Sequence, residues 1–214
     1  YMMTFKANMA TVLNNLGRVY YIIQDSSQAL VCQGACLRER SICLPSTHLD
    51  LGVAHFNVAQ SLAALDENEE ALEHYLSFLS IARPILGYDD IIITKAVTTV
   101  TDLYIDMKDF LAAEALLRKH LSSPVFVSTT GLQSKVTLLN SLSAVLDFRR
   151  KPTDALEVLY QARDIILTLP QDDSATRSYI TNCCNIAVVL SKEHKIEKAA
   201  VMFHKALAKI KSFE

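Results

Sequence analysis

The sequence predicts an all-α fold made of five repeated pairs of antiparallel helices. Three observations carry this. First, an alanine recurs at a fixed interval: Ala29, Ala71, Ala113 and Ala155 stand 42 residues apart, and Ala199 follows at 44. Second, the positions around it keep phase. Thirteen residues earlier lie Leu16, Val58, Val100, Leu142 and Ile186, all apolar. Twelve earlier lie Gly17, Ala59, Thr101, Ser143 and Ala187, all small, and nine earlier lie Tyr20, Leu62, Tyr104, Leu146 and Leu190. Third, 50% of the residues are apolar, enough to bury a continuous core. A period of this size marks a chain built from stacked units. The small residues let two helices approach closely, and the large ones fill the space beside that contact. The segment Asp66–Tyr75, DENEEALEHY, shows the constraint most plainly: four of its first five residues are acidic, and Ala71 follows them at the repeat position.

Seven residues after each alanine the size rule relaxes, to Cys36, Phe78, His120, Ala162 and Ala206. With the small, aromatic-or-leucine and alanine positions in register, the pattern resembles the tetratricopeptide repeat. A typical unit of that family has about 34 residues, and the extra residues here lengthen each helix by roughly a turn. The longer form, with LNNLG at Leu13–Gly17 and LGYDD at Leu86–Asp90, looks most like the repeats of kinesin light chains. Thr101 and Ser143 stand where glycine or alanine is usual, and the sequence has no tryptophan. The resemblance implies a right-handed α-solenoid whose first helices line a concave face. It implies one array over residues 1–214, with units at about 5–45, 49–87, 91–124, 134–170 and 174–213.

The first helices are expected near 5–23, 49–65, 91–107, 134–148 and 174–192, and the second near 27–43, 68–84, 110–121, 152–168 and 195–211. Pro45, Pro84, Pro124 and Pro170 close or follow second helices, where a missing N–H is tolerated. Pro152 opens one, at a position whose N–H has no helical partner. Asp50, Asp66, Asp109 and Ser174 are the expected N-caps. Residues Asp89–Ile105, DDIIITKAVTTVTDLYI, favour strand by composition. Their phase within the repeat predicts helix, because packing overrides propensity differences of a few tenths of a kcal/mol per residue.

A net charge of −2 gives no electrostatic argument for nucleic acid or an anionic membrane. Apolar runs are broken well short of the ~18 residues that span a bilayer. Arg149–Lys151, RRK, falls in a turn between helices and is too small for a nucleic-acid patch. The five cysteines, Cys32, Cys36, Cys43, Cys183 and Cys184, include no Cys-x-x-Cys pair and read as free packing residues of an intracellular, cytoplasmic protein. No His-Glu-x-x-His occurs, the glycines are isolated, and the six histidines share no metal spacing. No cofactor is expected.

The functional expectation is a non-catalytic scaffold or adaptor that binds peptide or helical segments of a partner protein. Carried over from the family, the groove positions are occupied by Asn14, Asn15, Arg18 and Tyr21 in the first unit and by Phe56, Asn57 and Gln60 in the second. Lys95, Thr99 and Asp102 hold them in the third, Asn140, Ser141 and Asp147 in the fourth, and Asn185 in the fifth. One of these positions is polar in all five units, as Asn15, Asn57, Thr99, Ser141 and Asn185. An amide both donates and accepts, so it can pair with a peptide backbone whatever the peptide's sequence; the bland alternative is a helix face that meets water. Phe148 joins Tyr21 and Phe56 as an aromatic anchor or a packing residue. Arg18 and Lys95 favour acidic ligand residues early in the array, and Asp102, Asp106 and Asp147 favour basic ones later. The alternative reading is a helical enzyme or cation-binding protein that uses the carboxylates of Asp102, Asp106 and Asp147.

The ends carry a further expectation. The last helix, IEKAAVMFHKALAKIKSFE, shows Ala199, Ala200, Phe203, Ala206, Leu207 and Ile210 along one side. The opening YMMTF, from Tyr1, is apolar and lacks a start methionine. Either the chain is part of a longer array or another copy covers its ends, and alone it is expected to self-associate.

Overall fold

The computed structural model describes residues 2–123 and 125–211, and the side chains of residues 2–4 and 7 fall outside the description. Tyr1, Pro124 and Phe213, to which the sequence reading gave roles, lie outside the described residues. Ten α-helices and no strand occur among the described residues: α1 (Met2–Ile22), α2 (Ser26–Cys43), α3 (Leu49–Ala63), α4 (Asn68–Leu86), α5 (Ile91–Asp106), α6 (Phe110–Leu121), α7 (Thr129–Phe148), α8 (Pro152–Thr168), α9 (Asp173–Lys192) and α10 (Ile196–Lys211). They form two compact units, Tyr1–Gly87 and Tyr88–Glu214. In the first, α1 packs on α2, α2 on α3 and α3 on α4, with α1 also touching α3. In the second, each helix from α5 to α10 packs on its successor, and the first helices α5, α7 and α9 touch in sequence. Each unit is therefore two layers of a helical-repeat solenoid, first helices in one layer and second helices in the other.

The recurrent alanines sit at the helix–helix contact. Ala29, Ala71, Ala113, Ala155 and Ala199 are all buried. So are the residues twelve earlier, from Gly17 to Ala187. A Cβ on Gly17 would lie 2.7 Å from Gln33 Cγ and 3.4 Å from both the Ala29 carbonyl oxygen and Cys32 Cβ. The glycine in LNNLG is thus required by the approach of α2.

Each helix pair is joined by the same turn. The residue five before each alanine, Gln24, Asp66, Lys108, Arg150 or His194, has φ of 57–64°. The next residue's N–H bonds back to the carbonyl nine before the alanine, as in Asp25 N to Tyr20 O and Lys195 N to Leu190 O, at 2.8–3.0 Å in all five turns. The left-handed residue's own N–H bonds to the carbonyl three residues back at 2.9–3.2 Å. This is the Schellman closure of a helix C-terminus. The residue after the left-handed one then opens the second helix, its carbonyl accepting from the alanine N–H.

Several expectations are corrected. Asp66 is not an N-cap: it is the left-handed turn residue, and Glu67 occupies the cap of α4 without a side-chain bond. Asp50 lies in the first turn of α3, whose cap is His48, with Nδ1 accepting from Asp50 N at 3.1 Å. Asp172, rather than Ser174, caps α9, accepting from Ala175 N at 2.7 Å. Asp109 does cap α6, accepting from Ala112 N at 3.0 Å. Pro84 lies inside α4, which continues to Leu86 before Gly87, at φ 92°, ends it. The helix α7 begins at Thr129, earlier than expected, because Ser128 caps it. The β-branched segment is helical, with Ile93, Val97 and Val100 in the core.

Two substitutions test this packing. Ala71→Leu puts three extra carbons into a closed contact and is expected to cost about 1–3 kcal/mol; thermal unfolding reads the loss, and an unchanged Tm would show the contact to be loose. Lys108→Gly relieves a left-handed backbone that costs a residue with a Cβ about 1–2 kcal/mol. It should raise the Tm, despite the added freedom of the unfolded chain.

Candidate functional site

The first-helix layer carries most of the residues that the sequence marks for binding, and the two units treat them differently. In the first unit, Asn57 of α3 donates Nδ2–H to Asn14 Oδ1 of α1 at 2.9 Å. These two amides satisfy each other across neighbouring first helices. Asn15, Arg18 and Tyr21 are exposed, and Gln60 is half-buried. Phe56 is taken into packing: its ring meets Tyr75 at 5.4 Å and Phe78 at 5.0 Å, both edge-on. Burial first, and Tyr21 second, hold the Tyr75 hydroxyl well above its ordinary pKa.

In the second unit, the hydroxyls of Thr98 and Thr99 both donate to the Lys95 carbonyl, at 2.8 and 2.9 Å, so Thr99 is engaged with its own helix. Lys95 and Asp102 are exposed. The Asp102 carboxyl is raised above its usual range, by desolvation first and by the charge of Asp106 second. Asp147 forms an ion pair with Lys192 of α9. That pairing neutralises much of the attraction for basic ligand residues that Asp147 was expected to exert. The alternative reading needed Asp102, Asp106 and Asp147 to converge. Among the described residues, no group of three or more His, Cys, Asp or Glu side chains is placed to hold a metal ion.

Asn140, Ser141, Asp147 and Asn185 come together on α7 and α9. Two recesses between these helices share Asn140. One, of about 130 Å³, is lined by Asn140, Ala144 and Asp147 of α7 and by Asn185 and Val188 of α9. The other, of about 380 Å³, is lined by Thr137, Asn140 and Ser141 of α7 and by Ser174, Arg177, Ser178 and Thr181 of α9. Gln133 Nε2 donates to Ser174 Oγ at 3.0 Å near the start of both helices. Asn140 Oδ1 is buried and has no hydrogen-bond partner. Ser174, Arg177 and Ser178 were missed because they precede the family's first groove position. They lie on the turns by which these helices exceed the ordinary repeat, and the length of the unit was the available signal.

Two other features, one polar and one aromatic, are structural. Glu114 of α6, buried, pairs with Arg118 at 2.8 Å and with Arg149, so the first residue of RRK is tied to the fold. Phe148 stacks on Phe110 at 5.4 Å, with planes 7° apart. Among the described residues, no helix is long and apolar enough to cross a membrane.

The fold is that of tetratricopeptide-like repeat proteins. It is shared with the nearly identical TPR-like repeats of a Podosopora anserina protein described as a kinesin light chain, at 15% identity and a TM-score of 0.73 over 98% of both chains. It is shared with BtubC (BKLC) from P. vanneervenii, at 14% identity and a TM-score of 0.77, over 97% of this chain and 82% of that one. PilF of Pseudomonas aeruginosa aligns at 16% identity and a TM-score of 0.62, over 94% of this chain and 78% of that one. No family model and no curated protein sequence matches the chain.

Behind the first-helix layer of the first unit, His55 of α3 and His74 of α4 face each other with Nδ1 atoms 2.8 Å apart. Desolvation, and then His74, lower the pKa of His55 from its ordinary 6.5. Desolvation lowers that of His74 as well, against an opposing pull from Glu70 and Glu73. A lowered folded-state pKa means that the unfolded chain binds protons first. The contribution to stability is therefore complete above 6.5 and is lost as pH falls through the folded values. The denaturation midpoint should accordingly fall between neutral and mildly acidic pH, and His55→Gln should flatten that dependence; an unaltered profile in the variant would discount the pair.

Proposed function

We propose that the chain is a non-catalytic interaction scaffold, acting as a cytoplasmic adaptor, that takes an extended peptide segment of a partner protein on the first-helix face of its second unit. One observation carries the reading. Asn140 Oδ1 is buried without a partner where two recesses meet, and Asn185 lines the same recess from the next first helix. A buried acceptor left unpaired costs about 1–3 kcal/mol, and rotation of the Asn140 side chain into the recess lets a backbone N–H of a peptide lying there relieve it. The Asn185 amide supplies the matching donor, and the hydroxyls of Ser141, Thr137 and Thr181 extend the polar track. Arg177 at the rim favours an acidic residue in the peptide. Lys95, Thr99 and Asp102 continue the candidate surface on α5, and Asn15, Arg18, Tyr21 and Gln60 offer a second one in the first unit. There Asn14 and Asn57 serve the fold, because they bond each other. Proteins of this fold are, as a class, mediators of protein interactions, an analogy that raises the expectation without naming a partner.

Selection of binding peptides from a random library on the intact chain, followed by fluorescence anisotropy, tests this. Each neutral hydrogen bond contributes about 0.5–1.5 kcal/mol, so Asn140→Ala and Asn185→Ala should each weaken binding roughly 2- to 12-fold at unchanged helicity. Asn57→Ala should lower the Tm instead. Affinities unmoved by both second-unit variants would remove the first-helix face from the proposal.

A further inference from the structure

Many hydroxyls of this fold are spent within it. A serine or threonine inside a helix commonly donates back to a carbonyl three or four residues earlier. Thr101 does so to the Val97 carbonyl at 2.8 Å, Ser143 to that of Asn140 at 2.7 Å and Thr137 to that of Gln133 at 3.1 Å. Ser61 of α3 donates instead across a helix contact, to Gln33 Oε1 of α2 at 2.7 Å. Four hydroxyls gathered at one recess of the second unit behave otherwise. Ser141 of α7 and Ser178 and Thr181 of α9 make no hydrogen bond among the described residues, and Ser174 only accepts, from Gln133 Nε2 at 3.0 Å. Their protons are left to solvent or to a ligand.

An arginine stands among them. Ser174, Arg177, Ser178 and Thr181 follow one another at three- and four-residue steps, on one face of α9. That face lines the recess of about 380 Å³ opposite Asn140 and Ser141 of α7. Arg118 and Arg149 are held by Glu114, and Arg163 by Asp164. Arg177 is exposed and pairs with no carboxylate among the described residues. No Asp or Glu lines the recess. Of the two carboxylates just before this face, Asp172 is committed to the cap of α9, accepting from Ala175 N, and Asp173 is exposed, so water screens its charge. A guanidinium and several uncommitted hydroxyls thus share one opening, with no anion of the protein's own to receive them.

We infer that the acidic residue received at Arg177 is a phosphorylated serine or threonine of the bound peptide, which rests on the peptide reading above and names the chemistry of its ligand. The supply of donors selects phosphate over carboxylate. A carboxylate presents two oxygens, and the fork of one arginine satisfies both. A phosphate presents three oxygens and a charge of about −1.5 to −2 at pH 7, so it engages the guanidinium and the hydroxyls together. Each hydroxyl turns its proton to suit the oxygen it meets. The recess adjoins the smaller one through Asn140, so a phosphorylated side chain seated at Arg177 leaves its backbone free to run on toward Asn185. One arginine and no lysine line the recess, whereas anionic membrane surfaces are recognised by clusters of about four to eight basic residues.

Peptides selected on the intact chain from a random library with phosphoserine at one fixed place test this, each remade with serine and with glutamate there. By fluorescence anisotropy the phosphoserine form should bind roughly 10- to 100-fold tighter than the serine form, with glutamate nearer to serine. In Arg177→Gln the phosphoserine and serine forms should bind alike, and in Ser178→Ala the gap between them should narrow, both at native helicity. Asn140→Ala should weaken both forms by the same factor and keep the gap. Equal affinities of the two forms for the native chain would overturn the inference, and the peptide reading would stand if Asn140→Ala still weakened both. A gap that closes in Arg177→Gln while Asn140→Ala and Asn185→Ala change nothing would uphold the phosphate site and remove the track along the recesses. A preference that survives Arg177→Gln would overturn the inference, as would association with vesicles of anionic lipid in place of the peptides.

Discussion

The close approach of two helices at the repeat alanine is the contact on which both units depend. Its tolerance is small. Each of the five alanines is buried, and the residue twelve earlier has no more than a short side chain. A contact of this kind sets the distance between the helices, and the large neighbours, such as Leu62, Leu146 and Leu190, then fill the space beside it. The turn fixes the angle at which the helices meet. Five residues with side chains take up a left-handed backbone there, although glycine would do so more easily. Closure of the helix end by two backbone hydrogen bonds offsets that strain, so the geometry holds while the residue varies among Gln, Asp, Lys, Arg and His.

The repeat was legible because the contact restricts size, and size is visible in a sequence. The same reasoning placed α5 as a helix against its composition: Ile93, Val97 and Val100 recur on the buried side whatever their strand preference. Caps were less legible. Asp66 has the chemistry of a cap, but the Schellman turn claims its backbone first, and Asp172 and Ser174 are both good caps two residues apart. Pro84 read as a stop, yet a proline in the last turns of a helix removes only one hydrogen bond, and α4 continues for two more residues.

The candidate site was partly legible, for a different reason. A polar position kept through five units marks a face, but does not tell whether it meets water, a ligand or the neighbouring helix. Asn57 and Asn14 have found each other, whereas Asn140 and Asn185, in the equivalent pair of positions, share a recess with the Asn140 oxygen unpaired. Only coordinates separate these cases, because the outcome depends on how closely two first helices lie. The carboxylates show the same limit: Asp147 pairs with Lys192, 45 residues away in sequence, and helix periodicity alone does not reveal such a partner.

The buried bond between Gln33 and Ser61 bears on how freely such repeats can be shuffled. An amide in an otherwise apolar position requires a hydroxyl opposite it and, at Gly17, a neighbour without a Cβ. The second repeat supplies the hydroxyl. The third carries Leu103 in that place and the fourth Val145, so either of them, joined directly to the first, would enclose an amide with nothing to bond. The units look interchangeable in outline, but their order is written into the chemistry of the seams. Recombination that loses the second repeat would carry a penalty that loss of an apolar-seamed one would not.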